Sequence, residues 1–318
     1  MASLEETSQH CNDIVESYLR LSPNESEFIK CTQDAINETK RCILDEIFCK
    51  WCPFSGEISL SYNGGKDCQV LLIVYLSCLW EYYKKGSQAS FPLAELPAAF
   101  ISLEECFPKL QDFIEFTAMK YHLNLYKSPL HPDKKIKMAD AFDIYLNEFP
   151  RIKGILIGIR RTDPFGEKLV PIEKTDSGWP EFMRLQPILH WSLASVWSFL
   201  IYSNEPICEL YSMGFTSLGK VTETDPNPYL MIENDKDHNR SNRFNWEEEH
   251  AFQNQKELNK ENIESDYELV NVTETSIHTA GNQIHRDTKY YPGWYLTDDK
   301  LERCGRIKPA ECYPQAPT

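Results

Sequence analysis

The sequence has no excess of positive charge. Its 318 residues carry 33 Lys and Arg against 48 Asp and Glu, a formal charge of −15. A protein whose main partner is a nucleic-acid backbone needs Lys and Arg in excess on at least one face, so no nucleic-acid partner is expected, although a local basic patch for a nucleotide stays open. The basic start and apolar run of a secretory leader are missing too. The opening MASLEETSQH is polar and acidic, and a cytoplasmic protein is expected. The longest near-apolar run, Val70 to Trp80, is broken by Ser77 and falls far short of the roughly 20 residues that span a bilayer. No membrane partner is expected. A zinc framework is also lacking: Cys49 and Cys52 make a single CxxC, no second pair exists, and the eight His form no cluster at ligand spacing. The 11 Cys therefore read as reduced, partly buried thiols, with Cys49 and Cys52 semi-buried on a helix.

What is present is a regular alternation. After a helical start (Ile14, Val15, Tyr18 and Leu19, a break at Ser22-Pro23, then Phe28 to Phe48), EISLSY reads as a strand over 57–62 and CQVLLIVYLSCLWEYY as a helix over 68–83. Strands follow at 97–102, 123–128 and 154–159, with helices at 107–121, 138–149 and 191–202. This pattern predicts an α/β fold with a mostly parallel sheet and helices on both faces. In such sheets ligands lie beyond the carboxyl ends of the strands, which directs attention to Ser61, Ile101 and Gly158 and the residues after them. The expected organisation is an N-terminal helical layer over 1–56, a nucleotide-binding α/β domain over 57–230, an acidic polar insertion over 231–289 and a tail over 290–318 that docks back and completes the site. Residues 231–290 hold 13 acidic and 7 basic residues, a net −6 of the total −15.

The sharpest motif is SYNGGKDC, Ser61 to Cys68, between a predicted strand and a predicted helix. Glycines allow the backbone to approach phosphate oxygens, the helix N-terminus offers unpaired amides, and Lys66 adds a point charge. Ser61, Tyr62, Asn63, Gly64, Gly65 and Lys66 are thus candidate phosphate-binding residues; a plain strand-to-helix turn would need the glycines for geometry alone. The block is not a Walker loop, because only two adjacent glycines precede the lysine. A second block, IGIRRTDPFGE, follows the last parallel strand and presents Arg160 and Arg161 as anion anchors, Thr162 as a donor and Asp163 as an acceptor. A surface Arg–Asp pair would produce the same pattern. Further on, Asp176, Trp179 and Arg184 combine an acceptor, an aromatic face and a fixed cation, a set suited to an aromatic heterocycle, although a lone Trp is more often core.

SYNGGKDC resembles the pyrophosphate-binding loop, SGGxDS, of the ATP pyrophosphatase and phosphoadenylylsulfate-reductase-like fold. It departs from that loop by inserting Tyr62-Asn63 and by carrying Cys68 at the final serine. Together with NEPICELY (Asn204 to Tyr211), GFTSLG (Gly214 to Gly219) and YYPGWYL with DDKLERCGR near the end, these blocks resemble the monofunctional, fungal-type FAD synthases (FMN adenylyltransferases) from about Glu57 to Arg306. The resemblance implies transfer of the adenylyl group of ATP to FMN, giving FAD and pyrophosphate, with Mg²⁺ as cofactor and Asp67 as its candidate ligand. It also implies strand-end contacts from Ser61, Ile101 and Gly158 to the nucleotide. Flavin contacts are implied from Asp163, Thr175, Asp176, Ser177, Gly178, Trp179, Arg184 and Arg303. Asn63, Asp67, Asp163, Arg303 and Arg306 are the implied catalytic set, the two arginines acting on phosphates. The family often has Asn where this chain has Gly178, which leaves a backbone contact there. A monomer acting on small molecules is expected. Two other classes stay open: a sulfonucleotide reductase using Cys304, which lies between Arg303 and Arg306, and a tRNA-modifying ATP pyrophosphatase or RNA-binding module. A flavin-binding protein without catalysis would share the same residues.

Overall fold

The computed structural model describes residues 2–86, 88–129, 136–232 and 289–307. The acidic insertion expected over 231–289 therefore falls almost wholly outside the described residues, as does the tail beyond 307.

Six strands form one sheet: β1 (Ile58–Ser61), β2 (Leu96–Phe100), β3 (Leu123–Lys127), β4 (Gly154–Ile157), β5 (Ile172–Lys174) and β6 (Met183–Leu185). Their spatial order is β3-β2-β1-β4-β6-β5, parallel throughout except for β5, which pairs antiparallel with β6. The mostly parallel α/β sheet predicted from the alternation is present. The chain runs from β1 outward through β2 and β3, then returns to lay β4 on the other side of β1. The order thus reverses between β1 and β4, and the crevice beyond their carboxyl ends is where such a sheet opens for a ligand. The sequence pattern predicts neither β5 nor β6, because three-residue strands such as Ile172-Glu173-Lys174 carry no period long enough to recognise.

Among the described residues the sheet is accompanied by six α-helices: α1 (Leu4–Leu19), α2 (Glu27–Arg41), α3 (Lys66–Lys85), α4 (Pro108–Lys120), α5 (Met138–Glu148) and α6 (Leu193–Ser203). The first begins at a reciprocal cap, Ser3 Oγ accepting from the Glu6 amide at 3.2 Å while Glu6 Oε2 accepts from the Ser3 amide at 2.7 Å. In α3 every residue from Cys68 to Leu79 is buried. A helix apolar all round must be covered on all sides; α1 and α6 lie against α3, and the sheet backs it. On the opposite face α5 sits over Ala99 and Ile155, with the Tyr145 hydroxyl 2.7 Å from Ser59 Oγ of β1. After α2 the helix widens into one π turn over Cys42–Ile47, where the Phe48 amide reaches back to the Ile43 carbonyl at 2.9 Å. The following residues leave helical geometry, so Cys49 and Cys52 are exposed and not semi-buried on a helix.

Residues 289–307 pack against 214–232. The Asp225 amide donates to the Gly305 carbonyl at 2.9 Å, the Ile307 amide to Glu223 at 3.0 Å and the Tyr291 amide to Leu230 at 2.8 Å. Buried Asn227 adds side-chain bonds to the carbonyls of Leu301 (2.8 Å) and Glu302 (3.4 Å). No helix among the described residues is long and apolar enough to cross a membrane.

Candidate active site

Two cavities open at the sheet's reversal. The larger, about 580 Å³, is lined by the Gly-rich loop (Asn63, Gly65, Lys66, Asp67), the strand ends Ile101 and Gly158, Asp163, and the tail residues Glu302, Arg303 and Arg306. The smaller, about 310 Å³, is lined by Ser61, Tyr62, Thr175, Trp179 and Arg184, with Phe142 and Phe182 stacked at 5.5 Å between ring centres. Asn63, Ile101, Met138 and Ile157 belong to both, so the two meet at the first residue after Tyr62.

The loop owes its shape to a few contacts. Gly64 has φ +68° and its Cα faces Leu110 and Ile114 so closely that a Cβ would approach Ile114 Cγ1 to 2.8 Å, so both conformation and space call for glycine. Gly65 precedes α3, and its amide donates to Asn63 Oδ1 at 2.9 Å. The first helical amide, that of Lys66, donates to the buried Tyr211 hydroxyl, also at 2.9 Å. Tyr62 turns inward: its hydroxyl donates to Gln69 Oε1 at 2.7 Å and lies 2.9 Å from Thr117 Oγ1. The Tyr62 hydroxyl is therefore an anchor for the loop in the core and not a phosphate contact. Cys68 Sγ points back to the Ser61 carbonyl at 3.5 Å, and burial pushes its thiol up to about 12, so it is neither a phosphate donor nor a nucleophile.

Behind the cleft lies a buried charge cluster. Lys66 Nζ contacts Asp67 Oδ2 at 2.8 Å and Glu302 Oε1; Arg160 Nε contacts Asp67 Oδ1 at 2.8 Å, its Nη1 Asp299 Oδ1 at 2.9 Å and its Nη2 Glu302 Oε2. The Arg160 side chain is wholly buried and does not line the cleft. The anion anchor expected at Arg160 is thus corrected: its guanidinium faces three carboxylates and stiffens the floor of the site. Arg161 is turned away as well, donating to the carbonyls of Glu167 (3.2 Å) and Leu169 (2.9 Å). Burial presses the Lys66 ammonium down, but Asp67 and Glu302 more than offset this and its pKa lies above that of ordinary lysine. Burial likewise raises Asp67, and Lys66 and Arg160 overcome it to hold that carboxyl below its usual range. Asp163 goes the other way, raised by burial and by the Asp67 charge, while its Oδ2 accepts from the Arg160 amide at 2.9 Å.

These pairs also decide the metal expected at Asp67. Each Asp67 oxygen faces a cation, and among the described residues no three His, Cys, Asp or Glu are grouped to hold an ion. Asp67 does not fit a direct Mg²⁺ ligand; it is a structural partner of Lys66 and Arg160.

The tail supplies the cations that stay free for an anion. Arg303 is exposed at the cleft. Arg306 is partly buried, and its guanidinium donates only to neutral oxygens: Ser217 Oγ at 3.0 Å, Thr224 Oγ1 at 3.0 Å and the Leu218 carbonyl. Burial, then the nearby Arg303 charge, lowers its pKa to about 10. A cation held among neutral groups and beside a second cation is stabilised by an arriving anion. Gly219 makes room for it, since any Cβ there would overlap the Arg306 guanidinium.

At the smaller cavity Arg184 is paired with Asp176 at 3.0 Å and also donates to the Lys174 carbonyl at 3.1 Å. Asp176, Ser177 and Gly178 form the turn beside that cavity without lining it, and Asp163 lines the larger cavity only. Gly178 has φ +88°, the left-handed region that glycine adopts most readily and Asn next. The sequence reading did not pick out Asp299, Glu302, Tyr211 or Asn227. The acidic run DDKLE and the block ELY are both visible in the sequence, but the partners of Asp299, Glu302 and Tyr211 lie 106 to 236 residues away.

Residues 57–226 match the phosphoadenosine phosphosulfate reductase domain family. Across nearly its whole length the chain is similar to the flavin adenine dinucleotide synthase of Saccharomyces cerevisiae, 47% identical over 96% of this chain and 99% of that protein. The chain belongs to the FAD synthase family. Among solved structures, Candida glabrata FMN adenylyltransferase in complex with FMN and the ATP analogue AMPCPP superposes with a TM-score of 0.79 at 49% identity, covering 96% of this chain and all of that one. The same enzyme in complex with FAD and inorganic pyrophosphate gives 0.81 at 48% identity, with the same coverage. In this member of the FAD synthase family the tail arginines and the Gly-rich loop line one cleft, which Asn63, Ile101, Met138 and Ile157 join to the aromatic cavity.

Proposed function

We propose that the chain transfers the adenylyl group of ATP to the phosphate of FMN, forming FAD and releasing pyrophosphate. The observation that carries this reading is the junction of two unlike cavities at Asn63: a cleft that holds the charged residues of the Gly-rich loop and the tail, and an aromatic cavity beside it. One suits a polyphosphate with its nucleoside against Ile101 and Gly158. The other suits a flavin ring against Thr175, Trp179 and Arg184, with the turn 176–178 as its rim. The relatives with ligands in their structures bind FMN, an ATP analogue, FAD and pyrophosphate, which agrees with this division.

The chemistry asks little of general bases. The second ionisation of a phosphate monoester lies near about pH 6, so FMN arrives as a nucleophile already deprotonated. A phosphate oxygen of FMN bonds to the α-phosphorus of ATP while the bond from that phosphorus to the bridging oxygen breaks, and the electron pair leaves on pyrophosphate. No proton need move. The protein must align the two anions in line and offset their mutual repulsion. Arg303 and Arg306 stand where both phosphates would approach; the α3 N-terminus and Asn63 face the departing end, with Lys66 behind them, buried and paired to Asp67 and Glu302. Mg²⁺ would come with ATP as the counter-ion of its phosphates, and no side chain is assigned to it. Both cavities are built from one chain, which fits a monomer.

Purified protein given ATP, Mg²⁺ and FMN should form FAD and pyrophosphate in equal amounts. FAD binding without pyrophosphate release from ATP would reduce the chain to a flavin carrier and overturn the reading.

A further inference from the structure

We infer that Glu302 is a positioning residue for this reaction: clamped between Lys66 of the Gly-rich loop and Arg160 of the sheet's end, it fixes the tail turn that carries Arg303 and Arg306. The inference rests on the adenylyl-transfer reading and adds to it a residue that never touches substrate phosphate.

Glu302 is 4% exposed. Its two oxygens go to different elements, Oε1 to Lys66 Nζ at the start of α3 and Oε2 to Arg160 Nη2 just after β4. Its own carbonyl accepts from Thr216 Oγ1 at 2.5 Å and from Asn227 Nδ2 at 3.4 Å, so side chain and backbone are both pinned. The next residue is Arg303, and the turn closes where the Arg306 amide donates to the Arg303 carbonyl at 2.9 Å. Three residues earlier, Asp299 Oδ1 accepts from Arg160 Nη1 at 2.9 Å, from Thr162 Oγ1 at 3.2 Å and from the first amide of α6, that of Leu193, at 2.8 Å. The tail therefore turns two carboxylates inward and two arginines to the cleft.

Gathering three carboxylates round two buried cations is a poor way to gain stability, since well-packed apolar residues often serve as well or better. Two-sided ion pairing does give a defined placement. Lys66 is held by Glu302 and Asp67 at once, which fixes its ammonium relative to the loop amides. The same carboxylate sets the origin from which Arg303 projects. A displacement of about 1 Å in such groups can reduce turnover by about a hundredfold.

Replacing Glu302→Gln keeps the shape and removes the charge. The full-length variant should retain cooperative unfolding and bind ATP within about threefold of the unaltered protein, while kcat falls by about ten- to a hundredfold. In a double-mutant cycle with Arg303→Ala, the two losses should overlap, leaving the double variant little slower than Arg303→Ala alone. Amide exchange over 301–306 should accelerate at least about tenfold in Glu302→Gln with the α3 amides unchanged. Additive losses, or unchanged exchange in that turn, would overturn the inference. If Glu302→Gln does not fold, Thr216→Val removes the bond to the Glu302 carbonyl together with the one Thr216 accepts from Asn227, and should show the same exchange change and the same overlap with Arg303→Ala; their absence there would overturn it equally. Failure of the unaltered protein to make FAD would refute the functional reading, while the exchange comparison would still decide whether Glu302 holds the turn.

Discussion

At the residue scale, the partners of each cation separate those that hold the protein together from those that face a ligand. Arg160 is surrounded by Asp67, Asp299 and Glu302, whereas Arg306 touches only hydroxyls and a carbonyl. Arg306→Ala and Arg303→Ala should each lower kcat by about a hundred- to a thousandfold, the range found when a single donor to developing charge is removed. Unfolding midpoints should hardly move, which thermal melts would check. Gly219→Ala offers an independent approach: the added methyl collides with the far end of Arg306, a flexible group, so the arginine is pushed aside while the fold survives. Its turnover should fall toward that of Arg306→Ala, and a rate equal to the unaltered protein would show that the guanidinium position does not matter. The loop residues were legible in the sequence because Ser61 to Cys68 is contiguous and has a strand before and a helix after it. The burial of Arg160 was not, because the carboxylates that enclose it lie 139 and 142 residues further along and sequence spacing says nothing of such pairs.

At the scale of elements, β1 to β4 and α3 to α5 were legible because each combines a sustained apolar period with Gly, Pro or polar punctuation. The strands β5 and β6 are too short for a period, and the π turn at Cys42–Ile47 shifts the helix face by one residue, which a strict 3.6 period does not anticipate. The N-terminal helix is joined to the rest by a pair that sequence could not reveal: His10 Nε2 of α1 lies 2.8 Å from Glu205 Oε1, just after α6, and Tyr121 and Lys120 complete the surroundings of that buried carboxylate. The hydrogen bond to Glu205 raises His10 above its ordinary value, while Glu205 is held below its own as His10, Lys120 and Tyr121 outweigh burial. A raised histidine stabilises the fold fully below about pH 6.5 and loses that effect as pH climbs through its folded pKa. Glu205 stays ionised until well into acid. His10 is more than half exposed, so screening leaves the pair worth about 0.5 kcal/mol. His10→Ala should therefore melt about 1–2 °C below the unaltered protein at pH 5.5, and the gap should close by pH 9. A gap that widens with pH would show that His10 packs as an apolar group and does not act through its charge.

At the scale of the whole molecule, the charge balance that argues against nucleic acid takes on a different meaning beside the site. A chain of −15 presents at one cleft two arginines with no ion-pair partner among the described residues, while Lys66 and Arg160 behind them are tied up by carboxylates. Selectivity for FMN over riboflavin follows. Both flavins would place the same ring against Trp179, Phe142 and Phe182, but riboflavin ends in a neutral hydroxyl, which must lose a proton to attack phosphorus. Of the carboxylates that line the cleft, Asp67 and Glu302 are paired with Lys66 and Arg160 and Glu104 with Lys220, which leaves Asp163 and Glu105, so the rejection rests on the lost phosphate charge more than on the lack of a base. Without the FMN phosphate, Arg303 and Arg306 would also keep their repulsion. Loss of both the ionised nucleophile and its charge partner should lower kcat/KM by at least about ten-thousandfold, the scale on which sites built around a polar group reject an analogue lacking it. Riboflavin should then inhibit FAD formation by occupying the aromatic cavity, competitively with FMN, and yield no adenylylated product by chromatography. Adenylylated riboflavin in that assay would require a base among these residues and would overturn this selectivity.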